Sequence, residues 1–156
     1  MRFDNRYNGQ SKNHDRSLAI KEIDEAIRAA TEALNNLDAA ADALGGARNW
    51  GLVDMLGGGT LTTFLKRERM HEAQKKIEAA KRSMNKLSRE LRDVDTYVDI
   101  DIEMGDFLGF ADYFFDGFLA DWMVQSKIGK AREQVRRAQE QVWDVRNALY
   151  QIREKM

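Results

Sequence analysis

The sequence predicts an all-α protein, an elongated antiparallel bundle of three long helices with coiled-coil-like seams. None of its 156 residues is Pro, the residue that most often interrupts a helix. In three long stretches the apolar residues recur at alternating steps of three and four, the spacing that gives a helix one apolar face. Hydrophobic residues make up 43% of the chain and charged residues 33%, which is typical of one globular domain.

The first long helix is predicted over residues 17–44. Asp15 or Ser17 can cap its first turn, and Gly45 tolerates the left-handed conformation that ends a helix. The polar residues 1–16 are expected to form a disordered arm, so that 17–156 is the single predicted domain. The apolar seam of this helix consists of Ile20, Ile23, Ile27, Ala30, Leu34, Leu37, Ala41 and Leu44.

The second and third long helices are predicted over residues 60–94 and 117–155, and their seams are in step. Each residue of one seam lies 58 positions before its counterpart in the other. The second seam contains Met70, Ala73, Ile77, Ala80, Met84, Leu87, Leu91 and Val94, and the third contains Ile128, Ala131, Val135, Ala138, Val142, Val145, Leu149 and Ile152.

The offset of 58 residues continues upstream of the seams, where it relates Gly51 to Gly109 and Asp54 to Asp112. Helical heptads do not generate such matches among Gly and Asp. We therefore predict an internal repeat with halves at about 50–94 and 108–152.

Each repeat changes its apolar face partway along. Leu61 and Met70 are nine residues apart, which places them about 180° apart on one helix, and Leu119 and Ile128 repeat this offset. Either the helices kink near 66–70 and 125–128, or the upstream parts pack on the opposite side. We favour the second interpretation, in which short helical segments near 50–56 and 107–115, or a second subunit, cover the upstream parts.

Between the second and third helices, residues 96–104 alternate apolar and acidic side chains. This period of two is typical of a half-exposed strand. No partner strand is evident, so an extended connector packed on the bundle is expected, with pairing to its twin in a dimer as the alternative.

Charge is divided sharply along the chain, although the net charge is only −1. Residues 95–121 contain eight acidic residues and no Lys or Arg, whereas 60–94 and 122–156 are basic. A nucleic-acid-binding domain is usually basic overall, and the pI of this chain is about 6.2, so we expect no nucleic-acid partner. If a phosphate backbone did bind, Arg82 and Arg89 would be the residues to neutralise.

Catalytic and metal-binding patterns are weak in this sequence. The chain has no Cys and two His, which excludes thiolate chemistry and leaves little material for a zinc site. The acidic run from Asp99 lacks the Gly and Glu of a calcium loop, and Glu68 with His71 is only one half of a di-iron motif. The glycines of 56–60 do not match a phosphate-binding loop. We predict no catalytic residue, no metal site and no cofactor.

The segment 106–122 has the most unusual composition, with seven aromatic residues interleaved with four Asp. Packing in a core or dimer interface, with Asp capping helix starts, is one interpretation. The other is an aromatic-walled pocket whose carboxylates bind a cationic ligand or a metal. Together with the preceding repeat, the candidate interaction or ligand surface comprises Trp50, Asp54, Phe110, Asp112, Phe114, Asp116, Asp121 and Trp122.

Several short sequences resemble an uncharacterised family of bacterial helical proteins with no established activity. They are Asn49-Trp50-Gly51, 54–59 (DMLGGG), 110–117 (FADYFFDG), Ala120-Asp121-Trp122 and 124–128 (VQSKI). The resemblance spans about residues 20–152, and the stretch 66–70 departs from the family pattern. It implies a helical fold, and shared function residing in these motifs.

The sequence as a whole predicts a non-enzymatic structural or protein–protein interaction module. Surplus aromatic residues favour self-association, as a symmetric dimer, and an unidentified protein partner is an additional expectation. The alternative is a small-molecule or metal-binding protein, hydrolases included, that uses segment 106–122. No apolar run is long enough to span a membrane and no signal peptide is evident, so a cytoplasmic location is expected.

Overall fold

A computed structural model describes residues 5–45, 60–114 and 128–156 of the chain, and these residues are mainly helical. Side chains are described for 9–45, 68–100, 104–114 and 129–156. The all-α prediction is confirmed, because this part of the chain contains no strand. The helices are α1 (Asn5–Gly45), α2 (Thr60–Asp95), α3 (Asp101–Tyr113) and α4 (Ile128–Glu154). The predicted helical segment 50–56 and the predicted helix start at 117–127 lie outside the described residues.

Helix α1 packs antiparallel to α2. Lys86 Nζ lies 2.8 Å from Glu32 Oε2, and four residues further along α1 the Asn36 amide donates a hydrogen bond to the Ser83 hydroxyl. Because the residue number of the α2 partner decreases as the residue number in α1 increases, the two helices run in opposite directions.

Helix α1 also packs antiparallel to α4. Gln139 Nε2 donates to Asp38 Oδ1 over 2.7 Å, and Arg153 Nε donates to Asp24 Oδ1 over 2.9 Å. The order of the partners is again reversed, so α2 and α4 both run opposite to α1.

The buried stripe of α1 differs from the predicted seam. Ile23, Ala30, Leu37 and Leu44 are fully buried as predicted. The structure also buries an Ala at every seventh position, whereas the predicted seam residue that directly follows each of these alanines is only half-buried. The reason is that α1 contacts two helices, and small side chains at the centre of its buried face allow both to approach closely. The buried alanines are Ala19, Ala26, Ala33 and Ala40, and the half-buried residues are Ile20, Ile27, Leu34 and Ala41.

The seams of α2 and α4 face the core as predicted. In α2 the buried residues run from Ala73 to Val94, with Met70 half-buried. In α4 they run from Ala131 to Leu149, with Ile152 half-buried. Helix α2 continues without a break through residues 66–70, although the side chains of 60–67 lie outside the described part.

The extended connector predicted for 96–104 is wrong over its second half. A turn follows α2, and α3 begins at Asp101, where Met104 N donates to Ile100 O over 3.1 Å. Val98, Ile100 and Met104 all face the core to some degree, but the chain reaches this arrangement by turning into a helix. A run of four apolar residues at a period of two is too short to distinguish the two conformations.

Helix α3 contacts α4 and, less extensively, α2. Phe107 and Ala111 bury one side of it in the common core, together with Phe114 directly after its last residue. The predicted helical segment 107–115 is therefore helical over its described residues, and it begins six residues earlier than predicted.

Helix α1 begins at Asn5, well before the predicted start at 17. Residues 5–16, expected to be disordered, are thus helical, and their described side chains from Gly9 to Ser17 are exposed. Extending a helix that is already nucleated by the packed stretch after Ala19 adds one hydrogen bond per residue, and no Pro opposes it. Among the described helices, none combines the length and the apolar character needed to cross a membrane.

Candidate interaction surface

Two large aromatic side chains project from α4 into solvent. Trp143 is 54% exposed and Tyr150 is 45% exposed. They are seven residues apart, so they share one face of the helix and are separated by about 10.5 Å along its axis. Each follows a buried seam residue, Val142 or Leu149, by one position, which turns it about 100° away from the core.

Trp143 lies on the wall of a groove between α1 and α4 with a volume of about 610 Å³. The hydrogen bond between Gln139 and Asp38 connects the two helices at this groove. Carboxylates on both walls make the groove acidic. Its lining consists of Leu34, Asn35 and Asp38 from α1 and Gln139, Glu140, Trp143, Asp144 and Arg146 from α4.

Arg146 brings the positive charge into this groove. Its Nε atom is buried and has no hydrogen-bond partner among the described residues. A buried donor without an acceptor is costly, so this site favours an acceptor supplied from outside the described part of the chain.

A second, smaller groove of about 420 Å³ lies nearer the start of α4, beside Gly129 and Ala41. Two of its charged residues already pair with each other, because Arg136 Nη2 lies 2.7 Å from Glu133 Oε1. The hydrogen bond from Arg136 is the main cause that lowers the pKa of Glu133. A surface with such ion pairs among its own residues offers less to a ligand than the groove at Trp143.

Three carboxylates from two helices meet where α1 and α2 cross. Oxygen atoms of Glu22, Glu25 and Glu90 all lie within 4.8 Å of one another, and all three residues are half-buried. Burial raises the pKa of Glu90, and the negative charges of Glu25, Asp93 and Glu22 add to the effect.

Chemically, this acid cluster favours a proton or a cation. Lys21 already supplies one positive charge, with Nζ 3.6 Å from Glu25 Oε1. Within the described residues this is the set of His or acidic side chains whose spacing would suit a metal ion. Sequence reasoning missed it, because Glu90 comes from a different helix and only the packing of α1 on α2 brings it close.

The described part of segment 106–122 divides between core and solvent. The rings of Phe110 and Phe114 pack with centroids 6.1 Å apart and planes tilted by 33°. Phe114 is fully buried and Phe110 is half-buried against the core. Asp112 and Tyr113 face outward, and Tyr113 is 50% exposed. This division favours packing as the role of the phenylalanines.

The remaining predicted site residues, Trp50, Asp54, Asp116, Asp121 and Trp122, lie outside the described residues. The structure therefore brings together Phe110, Asp112 and Phe114 only as neighbours along the chain at the end of α3. Trp143 and Tyr150 were absent from the sequence-based candidates. Their signal was present, since two aromatic residues spaced by seven lie one position after seam residues.

Most of the motifs that suggest a bacterial helical family, at 49–59 and 115–127, also lie outside the described residues, so the resemblance stays a prediction. Comparison with known proteins gives no match to a protein-family model, a curated protein or a solved structure.

Proposed function

We propose that the protein is a non-enzymatic interaction module that self-associates, and that the α4 face carrying Trp143 and Tyr150 is its contact surface. The observation that carries the proposal is the exposure of these two side chains on one helical face beside a groove. Burying such rings is strongly favourable, and Trp and Tyr are enriched where proteins bind one another. A second copy that covers them recovers this free energy.

The architecture of the proposal is a bundle of three long helices in which no other described helix covers the outer face of α4. The antiparallel contacts of α1 with α2 and α4 support it. The internal repeat is part of the same proposal. Buried seam residues of α2 have buried counterparts 58 positions later in α4, from Ala73 and Ala131 to Leu91 and Leu149.

Segment 106–122 is also part of the proposed contact surface, through the residues that face outward. Asp112 and Tyr113 remain available for contact, whereas Phe114 contributes to the core. A cytoplasmic location and an additional protein partner also stay part of the proposal.

The experiment is to measure the mass in solution by sedimentation equilibrium, for wild type and for Trp143→Ala and Tyr150→Ala. We expect a wild-type mass of twice 18.0 kDa and a shift of each variant toward the monomer. Tyr97→Ala is the matched control, because Tyr97 is 44% exposed but lies in the turn after α2. A wild-type protein that stays monomeric at all concentrations contradicts the proposal.

The alternative function is that of a small-molecule or metal-binding protein. Thermal melting with divalent ions and cationic metabolites distinguishes it from the interaction module. A stabilisation of several degrees that disappears in Asp112→Ala or Asp116→Ala favours the binding protein, whereas no shift across the panel favours the interaction module. Including Glu90→Gln extends this test to the acid cluster on α1 and α2.

A further inference from the structure

The outer face of α4 carries a second row of residues with alternating steps of four and three. This spacing is the one that two packed helices share along their contact. Asn147 is half-buried and the others are exposed, so within the described structure no other helix covers the row. The outer row consists of Arg136, Glu140, Trp143, Asn147, Tyr150 and Glu154.

We propose that this outer row pairs with the same row of a second copy, antiparallel, in the register that sets Trp143 of each copy opposite Asn147 of the other. The inference rests on the proposed function, because it specifies the orientation and register of that self-association. A two-fold axis between the helices then makes every contact twice.

Each layer of this register is chemically complementary. Arg136 faces Glu154 of the second copy, a guanidinium opposite a carboxylate. Glu140 faces Tyr150, whose hydroxyl can donate to the carboxylate. Trp143 faces Asn147, whose amide oxygen can accept from the indole N–H.

Other arrangements lose part of this complementarity. In a parallel pair, Arg136 of one copy would face Arg136 of the other. Glu140 and Glu154 would likewise each face the same residue of the other copy. An antiparallel shift of one heptad in either direction removes the pair between Arg136 and Glu154. Like charges directly opposite one another disfavour the parallel pair, and loss of the pair between Arg136 and Glu154 disfavours the shifted antiparallel registers.

The apolar and polar residues of the outer row have separate roles. Exposed ion pairs contribute little free energy, whereas burial of large rings contributes more, so Trp143 and Tyr150 supply affinity. Arg136 is already held by Glu133 and Glu140 of its own helix. Its five N–H donors leave capacity for one more carboxylate at little further loss of side-chain entropy.

The first test exchanges the charges of one layer. Arg136→Glu and Glu154→Arg should each weaken self-association at least about tenfold in sedimentation equilibrium, and the double variant should restore it, because each chain then carries the reversed pair. Arg137→Glu is the matched control. It also loses an ion pair with Glu133, at 3.5 Å, but in this register it lies at the edge of the contact beside the uncharged Gln151 of the other copy.

The second test uses the absence of Cys from the chain. Glu140→Cys/Tyr150→Cys should form a covalent dimer on mild oxidation of concentrated protein, because the two positions face each other between copies and Trp143 still contributes to the contact. Within one helix they are about 15 Å apart and cannot join. Glu140→Cys/Glu154→Cys, one turn out of register, should crosslink much more slowly. Tyr150→Cys alone crosslinks rapidly only in a parallel pair.

The outcomes separate the inference from the proposed function. A wild-type protein that is monomeric throughout overturns both. Two results would overturn the register while self-association of the wild type still holds. One is a charge-exchanged double variant that still associates weakly, and the other is a Tyr150→Cys variant that crosslinks without a second Cys. Restoration by the double variant together with the 140–150 crosslink supports the register.

Discussion

Arg153 Nε lies 2.9 Å from Asp24 Oδ1, and this contact joins the last turn of α4 to α1 across 129 positions of sequence. Both side chains are about two-fifths exposed, so solvent screens their attraction. A double-mutant cycle with Arg153→Ala and Asp24→Ala should give a coupling free energy of about 0.2–1 kcal/mol, smaller at high salt. A coupling near zero at low salt would mean that this pair does not hold α4 in place.

The alanine stripe of α1 should resist enlargement. Ala33 is fully buried where α1 packs on its neighbours, so Ala33→Leu should lower the free energy of unfolding by about 1–3 kcal/mol in urea denaturation. Ala39→Leu is the control, because Ala39 is half-buried on the same helix. Equal effects of the two variants would contradict the close approach at Ala33.

Glu90 should make the protein less stable at neutral pH than at mildly acidic pH. Burial and nearby carboxylates raise its pKa in the folded state. Between the unfolded and the raised folded value the native state holds more protons, so the free energy of unfolding falls as pH rises through this range. Above the pKa of Glu90 in the folded state, this loss of unfolding free energy is complete.

Replacing Glu90 by Gln removes this penalty. Because solvent screens this half-buried group, we expect Glu90→Gln to raise the free energy of unfolding at pH 7 by only about 0.2–0.5 kcal/mol, with little gain near pH 4. Glu72→Gln on the exposed face of α2 should change neither value. A Glu90→Gln gain that is the same at both pH values would exclude the acid cluster as its cause.

The outward glycines of α3 should be replaceable. A methyl group at Gly105 or Gly109 would meet nothing within 4 Å, and helical Gly costs about 0.5–1 kcal/mol relative to Ala. Thermal melts of Gly105→Ala and Gly109→Ala should therefore show stabilisation. Destabilisation would indicate that another surface packs closely on this side of α3.

Asp144 should oppose self-association in the proposed register. The two Asp144 side chains approach each other across the two-fold axis on one edge of the contact, as the two Arg146 side chains do on the other. Asp144→Asn should therefore strengthen the dimer several-fold, with a larger effect at low salt. Weaker association of this variant would argue for a different register.

The sequence predicted the parts of the fold that periodicity controls. Residues such as Ile77 and Val135 recur at helical spacing, and the core buries them because an apolar face has no other favourable position. The boundaries were harder to predict. Nothing local stops α1 at residue 17, and Val98, Ile100 and Met104 satisfy strand and helix patterns equally.

The candidate sites depended on contacts between helices, which periodicity does not specify. The acid cluster exists because Glu90 of α2 meets Glu22 and Glu25 of α1. The exposure of Trp143 follows from which side of α4 the other described helices leave uncovered. Phe114 illustrates the opposite case, because an aromatic residue in an unusual segment proved to be part of the core.

Sedimentation equilibrium across a wide concentration range tests the account most directly. We predict that wild-type protein approaches twice its mass of 18.0 kDa, and that Trp143→Ala returns it to the monomer while Tyr97→Ala does not. A mass of 18.0 kDa at every concentration, or a dimer that Trp143→Ala leaves unchanged, would contradict self-association through α4.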